Sequence, residues 1–215
     1  MKLIRLERNY SSWSLRAYLM LRQTGQPFEE VAIPVLECDH YDYLREHCPA
    51  QKVPVLHVDG LVLWESLAIG EFLHERYGLY PKDWRQRALA RCISHESHAG
   101  FAALRGACRR DMRGRPSLAI GPEVQRDLDR IGQIWSDCLS AGGPFLFGEW
   151  CLADAMYAPV ATRLRTYGLS LGPHCDAYRD RVLEHPFMLD WCAGAELEQT
   201  VVEPGLHGPR HVARR

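Results

Sequence analysis

Apolar and polar positions change rhythm about eighty residues into the chain. Up to Tyr77, short apolar runs of strand length alternate with segments of helical period; beyond Trp84 only the helical period remains. Lys2–Leu6 reads as a strand. Ser14–Thr24, apolar at Leu15, Leu19 and Leu21, reads as a helix stopped by Gly25 and Pro27. Phe28–Ile33 alternates as a second strand, and His40–His47 is a short polar helix. Val53–Val58 and Leu61–Trp64 flank Asp59-Gly60, the dipeptide best suited to a tight hairpin. Glu65–Tyr77 then carries Ile69, Phe72, Leu73 and Tyr77 at helical spacing, with Gly78 as its stop. The predicted order is β-α-β-α-β-β-α.

After a linker containing Tyr80-Pro81-Lys82-Asp83, the pattern predicts one long helix over Trp84–Met112, bent or loosened near Gly100, and another over Pro122–Leu139. Leu152–Tyr167 is apolar on nearly all sides and so is expected to be a central buried helix. Asp176–Leu183 and Pro186–Glu198 read as closing helices. The division expected is a mixed α/β domain over residues 1–78, an all-helical domain over 84–200 and a basic tail over 201–215.

Charge excludes some functions. Lys plus Arg number 26 against 27 Asp plus Glu, so no field draws the chain to nucleic acid or an anionic membrane. No apolar run approaches the roughly 18 residues that cross a bilayer. Lys2, Arg5, Glu7 and Arg8 interrupt what would be the apolar part of a signal peptide, so a cytoplasmic location is expected. Eight cysteines are scattered with no C-x-x-C, as in a reduced chain that uses them as small apolar residues.

Three stretches carry candidate chemistry. In "QKVPVL", a cis Val53–Pro54 bond would turn the Val53 N–H and C=O outward toward an extended ligand; a trans proline would simply open a strand. In "LWESLAIGEFL", Glu65-Ser66 stands where a hairpin meets a helix, whose free N–H groups suit a small carboxylate; the plain alternative is a helix cap. In "NYSSWSLR", three serines and Trp13 sit at the strand-to-helix turn, as caps or as chemistry. Cys92, His95 and His98 are spaced by three, but a fourth ligand is not apparent, and no metal is expected. Asp154, three residues after Cys151, is read as structural: a thiol caps a helix poorly, so the carboxylate reaches back.

The element order, "VP" opening the third strand, "ES" opening the third helix and the all-helical second half together resemble the cytosolic glutathione transferase family, over the chain to about Glu198. The resemblance implies a thioredoxin-like first domain with glutathione lying along it as co-substrate. Val53, before Pro54, would pair with the cysteinyl backbone; Glu65 and Ser66 would hold the γ-glutamyl end; Lys52 and His40 would serve the glycyl carboxylate. The zeta class reads S-S-C-x-x-R where this chain has Ser11-Ser12-Trp13-Ser14-Leu15-Arg16, so Ser11 would face the sulfur, with Ser12 second and Ser14 third. The missing cysteine argues against thioltransferase chemistry. Trp13, His98, Phe101 and Arg105 would shape the electrophile site, and Arg165 matches a carboxylate-binding arginine of the zeta class.

A free thiol near pKa ~8.5 is only about 3% ionised at pH 7. A hydroxyl donating to the thiolate, a bond of about 1.5–3 kcal/mol, lowers that by roughly one to two units. Nucleophilicity falls with pKa along a slope of about 0.4–0.5, which returns much of the gain. Most acceleration must therefore come from holding the electrophile against the sulfur. Three functions follow from the resemblance: conjugation of glutathione to a small hydrophobic electrophile, zeta-type cis–trans isomerisation of a maleylacetoacetate-like dianion, or a non-catalytic binding module. A homodimer is implied as well.

Overall fold

A computed structural model describes residues 1–34 and 40–200, with the backbone alone for His40 and Tyr41. The His40 side chain and the 201–215 tail, both assigned above, lie outside the described residues.

The first half is a four-stranded sheet, β1 (Lys2–Leu6), β2 (Glu29–Ile33), β3 (Val55–Val58) and β4 (Leu61–Trp64), in the order β2-β1-β3-β4. β1 and β2 run parallel, joined through α1 (Ser12–Gln23); β3 and β4 are antiparallel to their neighbours and turn at Asp59-Gly60, both at positive φ. α2 (His40–His47) returns the chain to β3, and α3 (Ser66–Tyr77) follows β4. This is the thioredoxin-like arrangement expected. Two boundaries move for local reasons. α1 starts before Ser14 because the Ser11 hydroxyl takes the cap, and β3 starts at Val55, after a cis Val53–Pro54 bond.

The second half is helical: α4 (Trp84–Ala99), α5 (Ala102–Ala107), α6 (Pro122–Leu139), α7 (Leu152–Tyr167), α8 (Pro173–Glu184) and α9 (Pro186–Glu196). The helical stretch expected over Trp84–Met112, loosened near Gly100, is two helices that part at that glycine, and its last residues are irregular. Gly100 is extended, and a Cβ there would meet the Glu96 carbonyl oxygen at 2.7 Å; Phe101 follows in the left-handed region. α8 begins earlier than expected, because Pro173 fills the first helical position, where a missing N–H costs nothing.

The core sits where the halves meet. α7 is buried at nearly every position and packs on α1 and α4. Gly70 of α3 lets Met20 and Leu152 approach; a Cβ there would lie 2.7 Å from Met20 Sδ. Asp154 is fully buried and accepts from Cys151 N–H (2.9 Å), Leu146 N–H (3.1 Å) and Tyr178 Oη–H (2.9 Å), the reach-back expected of it. Burial raises its carboxyl to about 6 against those bonds. A smaller cluster of Ile4, Ile33, Leu44, Cys48 and Val55 covers the other face of the sheet. Among the described residues, no helix is long and apolar enough to cross a membrane.

Candidate active site

The site forms where residues at the N-termini of α1 and α3, Trp13 and Glu65, both approach His98 of α4. Ser11 caps α1: its Oγ accepts the Ser14 N–H at 3.2 Å and lies 2.8 Å from Ser14 Oγ, a hydrogen bond between two hydroxyls. Ser14 Oγ also accepts the Leu6 N–H at 3.3 Å, tying the cap to the end of β1. Ser11 is only 7% exposed; Ser12, the first helical residue, is half-buried and more open. The capping reading and the chemical reading therefore meet in the same hydroxyl. That hydroxyl lies at the positive end of a twelve-residue helix.

Ser66 is the first residue of α3, and unlike Ser11 it makes no capping bond. Its hydroxyl is buried and has no hydrogen-bond partner among the described residues. A buried hydroxyl without a partner costs about 1–3 kcal/mol, so its position at a helix N-terminus points to a ligand. Before it Glu65 has φ of 65° and leaves its side chain half in solvent, with no capping bond. A non-glycine residue in that region is strained by about 1–3 kcal/mol, and such strain concentrates at ligand sites. Val53 is half-buried beside the buried Pro54; Lys52 is exposed.

The other wall comes from α4, α5 and α7. Trp13 lies edge-on to His98 (centroids 5.3 Å apart) and carries the guanidinium carbons of Arg16 at 4.6 Å and Arg105 at 5.7 Å. His98 Nε2 is 3.7 Å from Glu65 Oε2, so the Glu65-Ser66 end and the Trp13 wall face one another. Burial and the Arg16 charge hold the His98 imidazole below its usual range, hence neutral at pH 7. Beyond Trp13 a cavity of about 340 Å³ is lined by Tyr10, Arg105, Gly106, Arg109, Arg110 and Arg163.

The lining of that cavity is rich in positive charge. Among the described residues, Arg16, Arg105, Arg110 and Arg163 form no ion pair. Backbone carbonyls hold them instead: Met156 and Ser97 for Arg16, Gly100 for Arg105, Arg8 for Arg110, Cys108 and Pro159 for Arg163. Burial, then mutual repulsion, brings Arg110 down to about 9 and Arg163 to about 10; Arg16 falls to about 9 by burial and by Arg163 and Arg105. All stay charged at neutral pH. Largely buried cations held by carbonyls rather than by carboxylates form a preset binding field for an anion.

Asn9, fully buried, fastens this wall to the serines. Its carboxamide donates to Asp111 Oδ1 (2.9 Å) and accepts the N–H groups of Met112 (3.0 Å) and Arg113 (3.2 Å). Glu198, near the end of the described chain, accepts the consecutive N–H groups of Arg8 (2.7 Å) and Asn9 (2.9 Å).

Ser11, Trp13, Glu65, Ser66, His98 and Arg105 thus converge as the sequence suggests. Phe101 does not: it is buried and packs toward Tyr157, because its left-handed backbone at the α4–α5 break turns it to the core. Arg165 does not line the cavity; Arg163, one half-turn earlier, does. Arg109, Arg110 and Asn9 were missed. The run Arg109-Arg110 in an otherwise helical stretch was the available signal. His95 is exposed and bonds its own helix at Arg91 O. Among the described residues, no cluster of three or more His, Cys, Asp or Glu groups has metal-holding geometry.

Known proteins resemble this chain in sequence and fold. Residues 10–76 match the family described as glutathione S-transferase, N-terminal domain. Mouse maleylacetoacetate isomerase is 33% identical over 176 residues, covering 78% of this chain and 79% of that protein. A probable maleylacetoacetate isomerase of Caenorhabditis elegans is 29% identical over 78% of this chain and 80% of its own length. Among solved structures, a glutathione transferase homolog from Burkholderia with bound glutathione superposes with a TM-score of 0.72 at 23% identity, covering 91% of this chain and 97% of that one. A bacterial zeta-class maleyl pyruvate isomerase gives 0.72 at 24% identity, covering 93% and 100%. The chain belongs to the cytosolic glutathione transferase family. Within it the chain stands close to the zeta class, and glutathione is its co-substrate.

Proposed function

We propose that this enzyme ionises the thiol of glutathione at the N-terminus of α1 and delivers it to a small unsaturated diacid held in the arginine cavity, as a zeta-type cis–trans isomerase does. The observation that carries this reading is the cavity itself, lined by four arginines and Tyr10. Glutathione lies along Lys52–Pro54 with its γ-glutamyl carboxylate on Ser66 and the α3 N–H groups, and its amine toward Glu65. Ser11 donates to the thiolate, with Ser12 as the neighbouring hydroxyl. The sulfur adds to the cis double bond, and the electron pair moves onto the conjugated carbonyl oxygen. The arginines stabilise that oxyanion. The former double bond rotates as a single bond, the pair returns, and the C–S bond breaks to give the trans acid and glutathione unchanged. His98, neutral at pH 7, is not required to move a proton.

Conjugation of a neutral hydrophobic electrophile uses the same thiolate, and the Trp13 ring supports it as a second activity. The cation-lined cavity gives such a molecule no charge to pair. Against a binding module stands the unpartnered Ser66 hydroxyl, which suits glutathione. A division at the Gly78–Asp83 linker, a homodimer and a cytoplasmic location are part of the proposal on the family's habit.

The test is turnover of a maleyl-type cis acid with and without glutathione, beside a neutral aryl halide. Glutathione-dependent cis–trans conversion with no net glutathione consumption supports the isomerase. Conjugation of the aryl halide alone would replace it with the transferase reading. Neither reaction would leave the binding module.

A further inference from the structure

We infer that Ser14 is a positioning residue, whose buried hydroxyl turns the proton of Ser11 toward the glutathione sulfur. The inference rests on the thiolate role proposed for Ser11 and comes from counting protons at the cap. Ser14 is fully buried, and its Oγ lies 2.8 Å from Ser11 Oγ. It already accepts one hydrogen bond, from the Leu6 N–H. Its own proton needs an acceptor, and among the bonds at the described residues Ser11 Oγ is the oxygen within reach.

A hydrogen bond between two hydroxyls runs in either sense. If Ser11 donates across it, the Ser14 proton is left in the fully buried interior with nothing to bond, the costlier arrangement. If Ser14 donates, the proton without a protein partner is that of Ser11, the less buried of the two hydroxyls. Ser14 then accepts from Leu6 N–H and donates to Ser11; Ser11 accepts from the Ser14 N–H and Oγ–H and has its own proton left over. Without ligand that proton finds only a nearly closed surface, since Ser11 is 7% exposed. With glutathione bound it finds the sulfur. No proton changes oxygen: both hydroxyls rotate, and the thiol proton leaves to solvent as the thiolate forms. A donor that itself accepts a hydrogen bond is polarised, which strengthens such chains by about 10–30% per bond.

The experiment is ultraviolet titration of glutathione bound to the full chain, in wild type, Ser11→Ala, Ser14→Ala and the double variant. The relay predicts that Ser14→Ala raises the bound thiol pKa by roughly half a unit, about a third of what Ser11→Ala does. It also predicts that Ser14→Ala adds nothing once Ser11 is alanine. The pH profile of kcat moves with the thiol. Ser14→Cys, close in size and a weak donor, shifts the pKa in the same direction and serves if the alanine variant folds poorly. An unshifted thiol in both Ser14 variants, with Ser11→Ala shifted, overturns the relay and spares the Ser11 reading. An equal shift on the Ser11→Ala background also overturns it, as a general effect of loosening the turn. An unshifted thiol in Ser11→Ala removes the thiolate role itself.

Discussion

Removing Arg105 separates what the cavity does for substrate from what it costs the fold. The Arg105 guanidinium bonds the Gly100 carbonyl and, at 3.5 Å, the carbonyls of Ser97 and Ala99, closing the end of α4. Losing one good bond and two marginal ones costs about 1–2 kcal/mol. Yet the same charge repels Arg16 and Arg163. Arg105 is half-buried, so solvent screening keeps that repulsion below about 1 kcal/mol for each neighbour. The two effects nearly cancel, and Arg105→Met should leave stability within about 1 kcal/mol of wild type. Binding has no such compensation. One charge-assisted bond to a carboxylate is worth about 1.5–3 kcal/mol, roughly a 10- to 100-fold loss in kcat/KM for the diacid. The assay pairs a urea midpoint with kcat/KM for a maleyl-type acid and for a neutral electrophile. The account expects a small midpoint change and a diacid loss at least tenfold larger than the neutral one. A large drop in midpoint with equal losses for both substrates would refute the reasoning and make Arg105 a strut.

Three further outcomes follow from other contacts. Ser66→Ala removes a hydroxyl that has no protein partner, so stability should hold while the glutathione KM rises about tenfold; isothermal titration with glutathione checks it, and unchanged affinity counts against the site. Asp154→Ala strands the Cys151 and Leu146 N–H groups and the Tyr178 hydroxyl, at about 3–5 kcal/mol; a urea midpoint lowered by less than about 1 kcal/mol would mean those bonds do not hold α7 in place. His74, His98 and His185 all sit below their usual range, chiefly through burial, so the unfolded chain binds more protons than the folded one just below pH 6.5. Stability should therefore rise between pH 6 and 7.5. Asp154, raised to about 6, pulls the other way but mainly below that window. A falling midpoint would contradict the burial of these rings.

What could be read from the pattern was local. Periodicity located α6 and α7 from end to end, because their apolar faces and the Pro122 and Gly168 punctuation are written in consecutive residues. It placed a bend or loosening near Gly100 but not the full break into α4 and α5, which depends on a close approach of Gly100 to the Glu96 carbonyl. Ser66 and Glu65 were legible because a helix start after a hairpin has few solutions. The arginine cavity was not. Arg105, Arg109, Arg110 and Arg163 come from α5, the segment after it and α7, and meet only because Asn9 pins that segment beside β1. Phe101 was drawn in by its place on the expected long helix, and its left-handed backbone turns it to the core; Arg165 was drawn in by its match to the zeta class, and Arg163, two residues earlier on α7, lines the cavity instead.

The claim on which the rest depends is that glutathione ionises at the start of α1. Its most direct measurement is the pKa of the bound thiol by ultraviolet titration, in wild type, Ser11→Ala and Ser12→Ala. The account predicts a wild-type value about one to two units below free glutathione, restored by Ser11→Ala and left low by Ser12→Ala. Restoration by Ser12→Ala alone would move the role to the neighbouring hydroxyl, and a bound thiol with the pKa of free glutathione would contradict the account.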